Sequence, residues 1–330
     1  MKLIVAAAVA TLGICAVGDS QEDALRIARA SGAAAKIILC CVDQDGCAVS
    51  NANVSAGLYP DGSFKHAIAF NGLTDTNGVF VAEGKTNGEY TYEVTKAGSY
   101  RTFEQKFLFK LPSVSVSNGR WQPYGMTNTV VLKRKVNPVA LKIASYLKGQ
   151  HLIPEVGVPL GFDLEKNDWV IPHGKGKAAD FMVTFLWDGS KFSKYTGSDL
   201  IISFTNRYAG VYKVPCDSFS EFKSPYRADT NAVFMTELKF SLRRMGGLKD
   251  GQLKEDECLI LRVRPRLDKD GNLAGAHYAK IYGPWRFGFG DTTPGSMSMS
   301  CYFNPNENDP NLEADTTINL LNPHDLGFPP

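Results

Sequence analysis

What this 330-residue chain lacks is the quickest guide to it. There is no GxSxG, so the strained turn that lifts a hydrolase serine above its sheet has no place in the sequence. There is no HExxH to set two zinc ligands one helical turn apart, and no CxxC pair. The one short cysteine spacing, Cys41 to Cys47, has no histidine pair beside it. Gly84-Lys85-Thr86 ends like a phosphate-binding loop, but the first glycine such a loop needs falls at Val79. Its surroundings also read as a hairpin, with no helix to present amides to phosphate. The five histidines, His66, His151, His173, His277 and His324, are scattered, so only the fold could gather them. No cofactor motif appears, and no catalytic or metal-ligating set is nominated. Charge of one sign is missing too. Against 36 Lys and Arg stand 34 Asp and Glu, which gives no whole-chain drive toward nucleic acid or a lipid surface.

Long apolar runs are confined to the N-terminus. Lys2 precedes the run Leu3 to Ile14, and Ala16 and Gly18 are the small residues a signal peptidase requires. The run is too short for a lasting membrane anchor. Residues 1–18 therefore read as a signal peptide cut between Gly18 and Asp19, and the chain as exported to periplasm, cell surface or medium. Leu12-Gly13-Ile14-Cys15 approaches a lipidation site, yet such sites want a small residue where the branched Ile14 stands.

Cleavage leaves Cys40, Cys41, Cys47, Cys216, Cys258 and Cys301, an even set that permits disulfides in an exported chain without fixing their pairing. Cys40 and Cys41 are adjacent in a strand, so at most one of them faces the core.

Residues 19–35 are polar and alanine-rich, a tether or short helix. From Lys36 to Lys135 short alternating segments are separated by turns rich in Gly, Asn and Asp, as an antiparallel sandwich requires. The first strand ends in Asp43-Gln44-Asp45-Gly46, and Ala48 to Val54 follows. Thr74-Asp75-Thr76-Asn77-Gly78 turns into Val79-Phe80-Val81. Gly88 to Val94 then leads to Ala97-Gly98-Ser99-Tyr100, and Thr129 to Lys133 closes the domain. Residues 36–101 resemble the carboxypeptidase regulatory-like domain family. That resemblance implies a transthyretin-like, Ig-like sandwich and an accessory module with no chemistry of its own.

Asn137-Pro138 and Ile153-Pro154 mark a linker over 136–159, in which Ala140 to Lys148 suits two helical turns. Residues 160–330 resume β character and read as a second antiparallel sandwich. Phe181 to Trp187, Leu200 to Phe204, Val233 to Leu242, Leu259 to Val263 and Met297 to Phe303 are its strands, and the tail after Asn304 is loop-like. Asp268 to Asn272 begins like a calcium loop but lacks the glycine and glutamate that an EF-hand needs at Leu273 and Ala279. It reads instead as the turn of a hairpin, and Asp43 to Gly46 reads likewise. Asn306 to Glu313 is dense in oxygen donors that suit a structural ion. Asn53-Val54-Ser55 is a glycosylation sequon by pattern.

One constellation suggests binding. Arg262, Arg264 and Arg266 share a face of one hairpin strand, with Leu261, Val263 and Leu267 opposite. Tyr278, Lys280 and Tyr282 share a face of its partner. If both polar sides agree and face solvent, a cationic, aromatic strip results, suited to carboxylated or sulfated glycans. The expected function is an exported, non-enzymatic binding or structural protein of the cell envelope, with a glycan or another envelope component as partner. Two alternatives are a polysaccharide hydrolase with its carboxylates in the second domain, and a surface assembly subunit offering strand edges.

Overall fold

The computed structural model describes residues 12–147, 149–187, 197–217, 219–243, 256–288, 295–326 and 329–330. The chain is mostly β-strand, with one α-helix among the described residues, and divides into two compact units. One runs to Lys135 and takes in Phe219–Glu221; the other comprises 136–218 and 222–330.

In the first unit α1 (Leu12–Ser31) crosses the expected Gly18–Asp19 junction, and Ala24, Leu25 and Ala28 pack against the core. Gly32 ends the helix at φ 74°, where its N–H returns to the Ala28 carbonyl at 2.8 Å. A residue with a Cβ is strained in that left-handed cap. Nine strands follow: β1 (Ala33–Asp43), β2 (Asn53–Leu58), β3 (Ile68–Leu73), β4 (Val79–Thr86), β5 (Glu89–Thr95), β6 (Thr102–Phe107), β7 (Ser115–Ser117), β8 (Arg120–Gln122) and β9 (Met126–Leu132). One sheet runs β3-β2-β5-β6, antiparallel throughout. The other runs β4-β1-β8-β7, with β9 also on β1. Leu39, Cys41, Val54, Tyr92, Trp121 and Val130 meet in one buried core. Sheet alternation explains the cysteine pair: Cys41 lies in that core while Cys40 is only half-buried.

In the second unit the strands are β10 (Val139–Ala144), β11 (His151–Leu152), β12 (Leu160–Asp163), β13 (Asp168–Trp169), β14 (Phe181–Trp187), β15 (Gly197–Ser203), β16 (Gly210–Pro215), β17 (Glu237–Arg243), β18 (Glu257–Leu267), β19 (Leu273–Gly288), β20 (Ser296–Phe303) and β21 (Ala314–Asn319). A five-stranded sheet, β13-β12-β14-β15-β17, and a seven-stranded one, β16-β18-β19-β20-β10-β21 with β11 on β20, enclose the main core. Phe162, Phe185 and Phe240 enter it from the first sheet, and Leu259, Ile281 and Phe303 from the second. Each such side chain contributes about 1.5–3 kcal/mol by leaving water. The seven-stranded sheet also carries apolar clusters on its other face, with Ile143, Tyr282 and Tyr302 in one and Ile260, Tyr278 and Leu312 in the other.

Three expectations change. The pairing is not purely antiparallel, because β1 runs parallel to β8 and β9, and β10 parallel to β21. Helical turns were expected over Ala140–Lys148, but residues 140–144 lie in strand β10, and Lys148 lies outside the described residues. Leu141 and Ile143 alternate into a buried cluster while the backbone pairs with β20 and β21, and that pairing overrides local helix preference. The tail beyond Asn304 is not all loop, since β21 forms there and the Asn319 side chain bonds both the N–H and the carbonyl of Ile143.

Candidate functional site

The β18–β19 hairpin forms around the Asp268 turn, whose Oδ1 accepts the N–H groups of Asp270 and Asn272 at 2.9 and 2.8 Å. Its two faces sort largely as alternation dictates. Leu261, Val263, Ala279 and Ile281 lie in the main core. Arg262 and Tyr278 are paired across the strands, as are Ile260 and Lys280, and Cys258 and Tyr282.

The exposed strip does not form. Tyr278, Lys280 and Tyr282 are all buried, Lys280 completely. The Lys280 ammonium lies 3.0 Å from Ser224 Oγ and 4.7–4.8 Å from the Tyr302 and Phe222 ring centres. The Tyr282 and Tyr302 hydroxyls meet at 2.6 Å and both lie against the Pro329 carbonyl, at 2.8 and 2.6 Å. Arg262 donates to the Tyr208 and Thr230 carbonyls at 2.6 and 3.1 Å, with its guanidinium over Phe234. Arg266 is exposed but holds Glu307 at 2.7 Å. The physical reason is coverage: Cys216, Ser224, Ala228, Phe234, Tyr302, Leu312, Ala314 and Pro329, all of the same unit, pack on the face that alternation alone would leave to solvent.

Arg264 leaves that face altogether. It sits at φ 51° in a register shift between Val263 and Arg266, a bulge that re-aims the side chain. It meets three carboxylates: Asp163 at 2.8 Å, Glu165 at 2.5 Å and Asp180 through Nε and Nη2 at 2.8 and 3.0 Å. Lys142 grips Glu165 from the other side at 2.7 Å. The hydrogen bond from Lys142, reinforced by Arg264, holds the Glu165 carboxyl down at about 2. Burial pushes the Asp180 carboxyl up against the opposing pull of Arg264. Burial acts to lower the Arg264 pKa, but its bonds to Asp180 and Glu165 raise it overall. This ion cluster joins β10, the end of β12, the residue before β14 and the β18 bulge. It offers no free carboxylate pair flanking a cleft.

Among the described residues, no group of three His, Cys, Asp or Glu side chains is placed to hold a metal ion. The oxygen-rich segment 306–313 is tied into its own unit: Glu307 pairs with Arg266, Asn311 Nδ2 donates to the Asn137 carbonyl, and the Glu313 carboxylate accepts the Val136 and Asn137 N–H groups. Cys216 and Cys258 form a disulfide, with Cα atoms 5.5 Å apart; Cys40, Cys41, Cys47 and Cys301 are free thiols. Burial raises the Cys41 thiol to about 12, so it is inert at neutral pH. No helix among the described residues is long and apolar enough to cross a membrane.

An open sheet edge is the feature that sequence patterning did not single out. Among the described residues β3 (Ile-Ala-Phe-Asn-Gly-Leu) pairs with β2 on one side only, and five of its six residues are exposed. It carries no charge and no proline, the usual guards of a free edge. At the far end of the same sheet the edge strand β6 contains Glu104 and Lys106. Its edge is also met within the unit by residues 219–221, where Ser220 bridges to Thr102 and the Phe103 N–H donates to the Phe219 carbonyl at 3.0 Å. The legible signal was the uncharged stretch from Ala67 to Leu73, which alternation alone could not assign to an edge.

No protein-family model matches the chain, and no curated protein does. Three solved structures give distant likenesses. The shaft pilin SpaA of Lactobacillus rhamnosus GG is 13% identical over 53% of this chain and 90% of its own, with a TM-score of 0.22. A streptococcal ancillary pilin is 11% identical over 80% of this chain, which spans 58% of the pilin, with a TM-score of 0.23. The 3-chlorocatechol 1,2-dioxygenase of Rhodococcus opacus 1CP is 12% identical over 32% of this chain, which spans 62% of that enzyme, with a TM-score of 0.26. Superpositions this loose carry no argument about the chain's activity.

Proposed function

We propose that this chain is a structural subunit of the cell surface that assembles by strand addition, with β3 of one copy pairing antiparallel with β3 of a second. The observation that carries the reading is the unguarded β3 edge. Its free N–H and C=O groups are a template for another strand. Two-fold pairing of identical strands sets each residue against one from the same short set, and an uncharged strand brings no like-charge opposition to that pairing. The Cys216–Cys258 disulfide supports an oxidising, extracytoplasmic setting, in line with the expected signal peptide. The likeness of residues 36–101 to an accessory module supports a scaffold role in the same way. Glycan binding loses its basis because the strip meant to carry it is buried or internally paired.

Sedimentation equilibrium of the full chain tests the reading. Wild type should dimerise, and Ala69→Lys with Asn71→Lys, both at exposed β3 positions, should weaken the dimer roughly tenfold or more while leaving the far-ultraviolet circular dichroism unchanged. A wild-type monomer at all accessible concentrations, or a dimer indifferent to both lysines, would overturn it.

A further inference from the structure

Between the two sheets of the first unit lies a polar cluster in a setting that is otherwise apolar. Period-two alternation turns Thr102, Glu104 and Lys106 of β6 toward the interior, and Asn128 enters from β9 in the opposite sheet. On β5, the strand paired with β6, Tyr90 stands opposite Lys106 and Tyr92 opposite Glu104. The geometry is close throughout. Lys106 Nζ lies 2.9 Å from Asn128 Oδ1 and 3.2 Å from Glu104 Oε2. The Tyr90 hydroxyl donates to the same Asn128 oxygen at 2.8 Å, and the Tyr92 hydroxyl donates to Glu104. Glu104 and Asn128 are only 6% and 5% exposed. A lysine ammonium is a donor only, so the amide oxygen faces it and the amide nitrogen points away. That nitrogen, Asn128 Nδ2, is buried with no hydrogen-bond partner among the described residues. Native proteins seldom leave such a group orphaned without reason.

We propose that Lys106 and Asn128 are the two partners of an intramolecular amide cross-link, formed with Glu104 as proton carrier. The amine, amide carbonyl and carboxylate are already within contact distance, as a near-attack arrangement requires. Lys106 passes one proton to Glu104 and becomes a neutral amine. Its nitrogen attacks Asn128 Cγ, forming the new C–N bond and placing the carbonyl electron pair on Oδ1. The Tyr90 hydroxyl stabilises that oxyanion. Burial raises the Tyr90 pKa, which keeps it a donor. Glu104 returns its proton to Nδ2 and takes the surplus proton from Nζ. The Cγ–Nδ2 bond then breaks and ammonia leaves. The net change is amine plus carboxamide to secondary amide plus ammonia, with no oxidant, reductant or cofactor. The orphaned Nδ2 is the atom expelled. The bond would join β6 to β9, two strands of different sheets that share no backbone ladder.

Mass spectrometry of the intact, reduced and denatured full chain decides the matter. Wild type should be lighter than the recovered polypeptide by one ammonia, and its digest should contain a branched peptide joining Lys106 to Asn128. Lys106→Arg and Asn128→Ala should each restore the full mass, and Glu104→Gln should leave most molecules unlinked. A wild-type chain at full sequence mass overturns the proposal whether or not the variants fold. So does a deficit that persists in Lys106→Arg, or that fragmentation assigns to other residues.

Discussion

Arg264 and Asp180 form a two-point pair, Nε to Oδ1 at 2.8 Å and Nη2 to Oδ2 at 3.0 Å, with the Asp180 side chain fully buried. The guanidinium is also the shared partner of Asp163 and Glu165. The bulge that puts Arg264 at φ 51° is thus matched by a cluster that uses four of its hydrogen-bonding directions.

Arg264→Ala should therefore destabilise the second unit by about 3–5 kcal/mol, because it strands buried carboxylates rather than removing a surface charge. Arg264→Lys should recover only part of the loss, since an ammonium cannot reproduce the planar fork. Urea unfolding of the three proteins at neutral pH measures both effects. Equal stability for Arg264→Ala and wild type would mean that the cluster contributes nothing.

Glu165 gives the same cluster a pH signature. Its carboxyl is lowered from 4.5 to about 2 in the folded chain, first by Lys142 and then by Arg264. A carboxyl whose folded pKa is depressed contributes stability above its unfolded pKa and loses it as pH falls through the folded one. The contribution is complete above about 4.5 and disappears on acidification toward about 2. Asp180, raised by burial, acts in the opposite sense. Wild type should exceed Glu165→Gln in stability at pH 6, and the gap should close between those two values. A gap that does not change with pH would rule out Glu165 as its source.

Legibility in the sequence followed how many constraints each segment satisfied at once. Phe181 to Trp187 reads as a strand and is one, because apolar content, length and β-branching agree. The turns at Asp43, Asp75 and Asp268 were equally plain, since Asp and Gly at those spacings have a direct conformational meaning. The β18–β19 faces were also readable, but their exposure was not: nothing local says that a distant tail will cover Tyr278 and Tyr282. Arg264 was misplaced because a one-residue bulge reverses side-chain direction, and the mark it leaves in the sequence, Pro265 within a strand, was not used. On β6 the pattern misleads outright. Phe103 points outward and is 47% exposed, while Glu104 faces the interior. A reader of alternation would assign those faces the other way and miss the cluster with Asn128.

The three turns also form a natural experiment. Asp43-Gln44-Asp45-Gly46, Asp75-Thr76-Asn77-Gly78 and Asp268-Lys269-Asp270-Gly271 share one geometry: the aspartate Oδ1 accepts the N–H groups two and four residues on, and the glycine donates back to the aspartate carbonyl. Their glycines have φ of 79°, 75° and 79°. An alanine at any of them meets the same left-handed strain, about 1–2 kcal/mol. The surroundings differ. A Cβ at Gly46 or Gly271 meets nothing within 4 Å, whereas at Gly78 it would collide with the Cys41 carbonyl oxygen and come within 3.0 Å of the Val49 amide nitrogen. Both obstacles are backbone. The Cys41 N–H also donates to the Gly78 carbonyl at 2.8 Å, so relief by shifting the turn breaks the β1 contact. Gly78→Ala should therefore cost about 1–3 kcal/mol more than Gly46→Ala in the same unit. Chemical denaturation of the two variants isolates the steric cost, because the conformational strain cancels between them. Equal losses would mean that the turn moves freely away from Cys41, and that its packing on β1 contributes little to the fold.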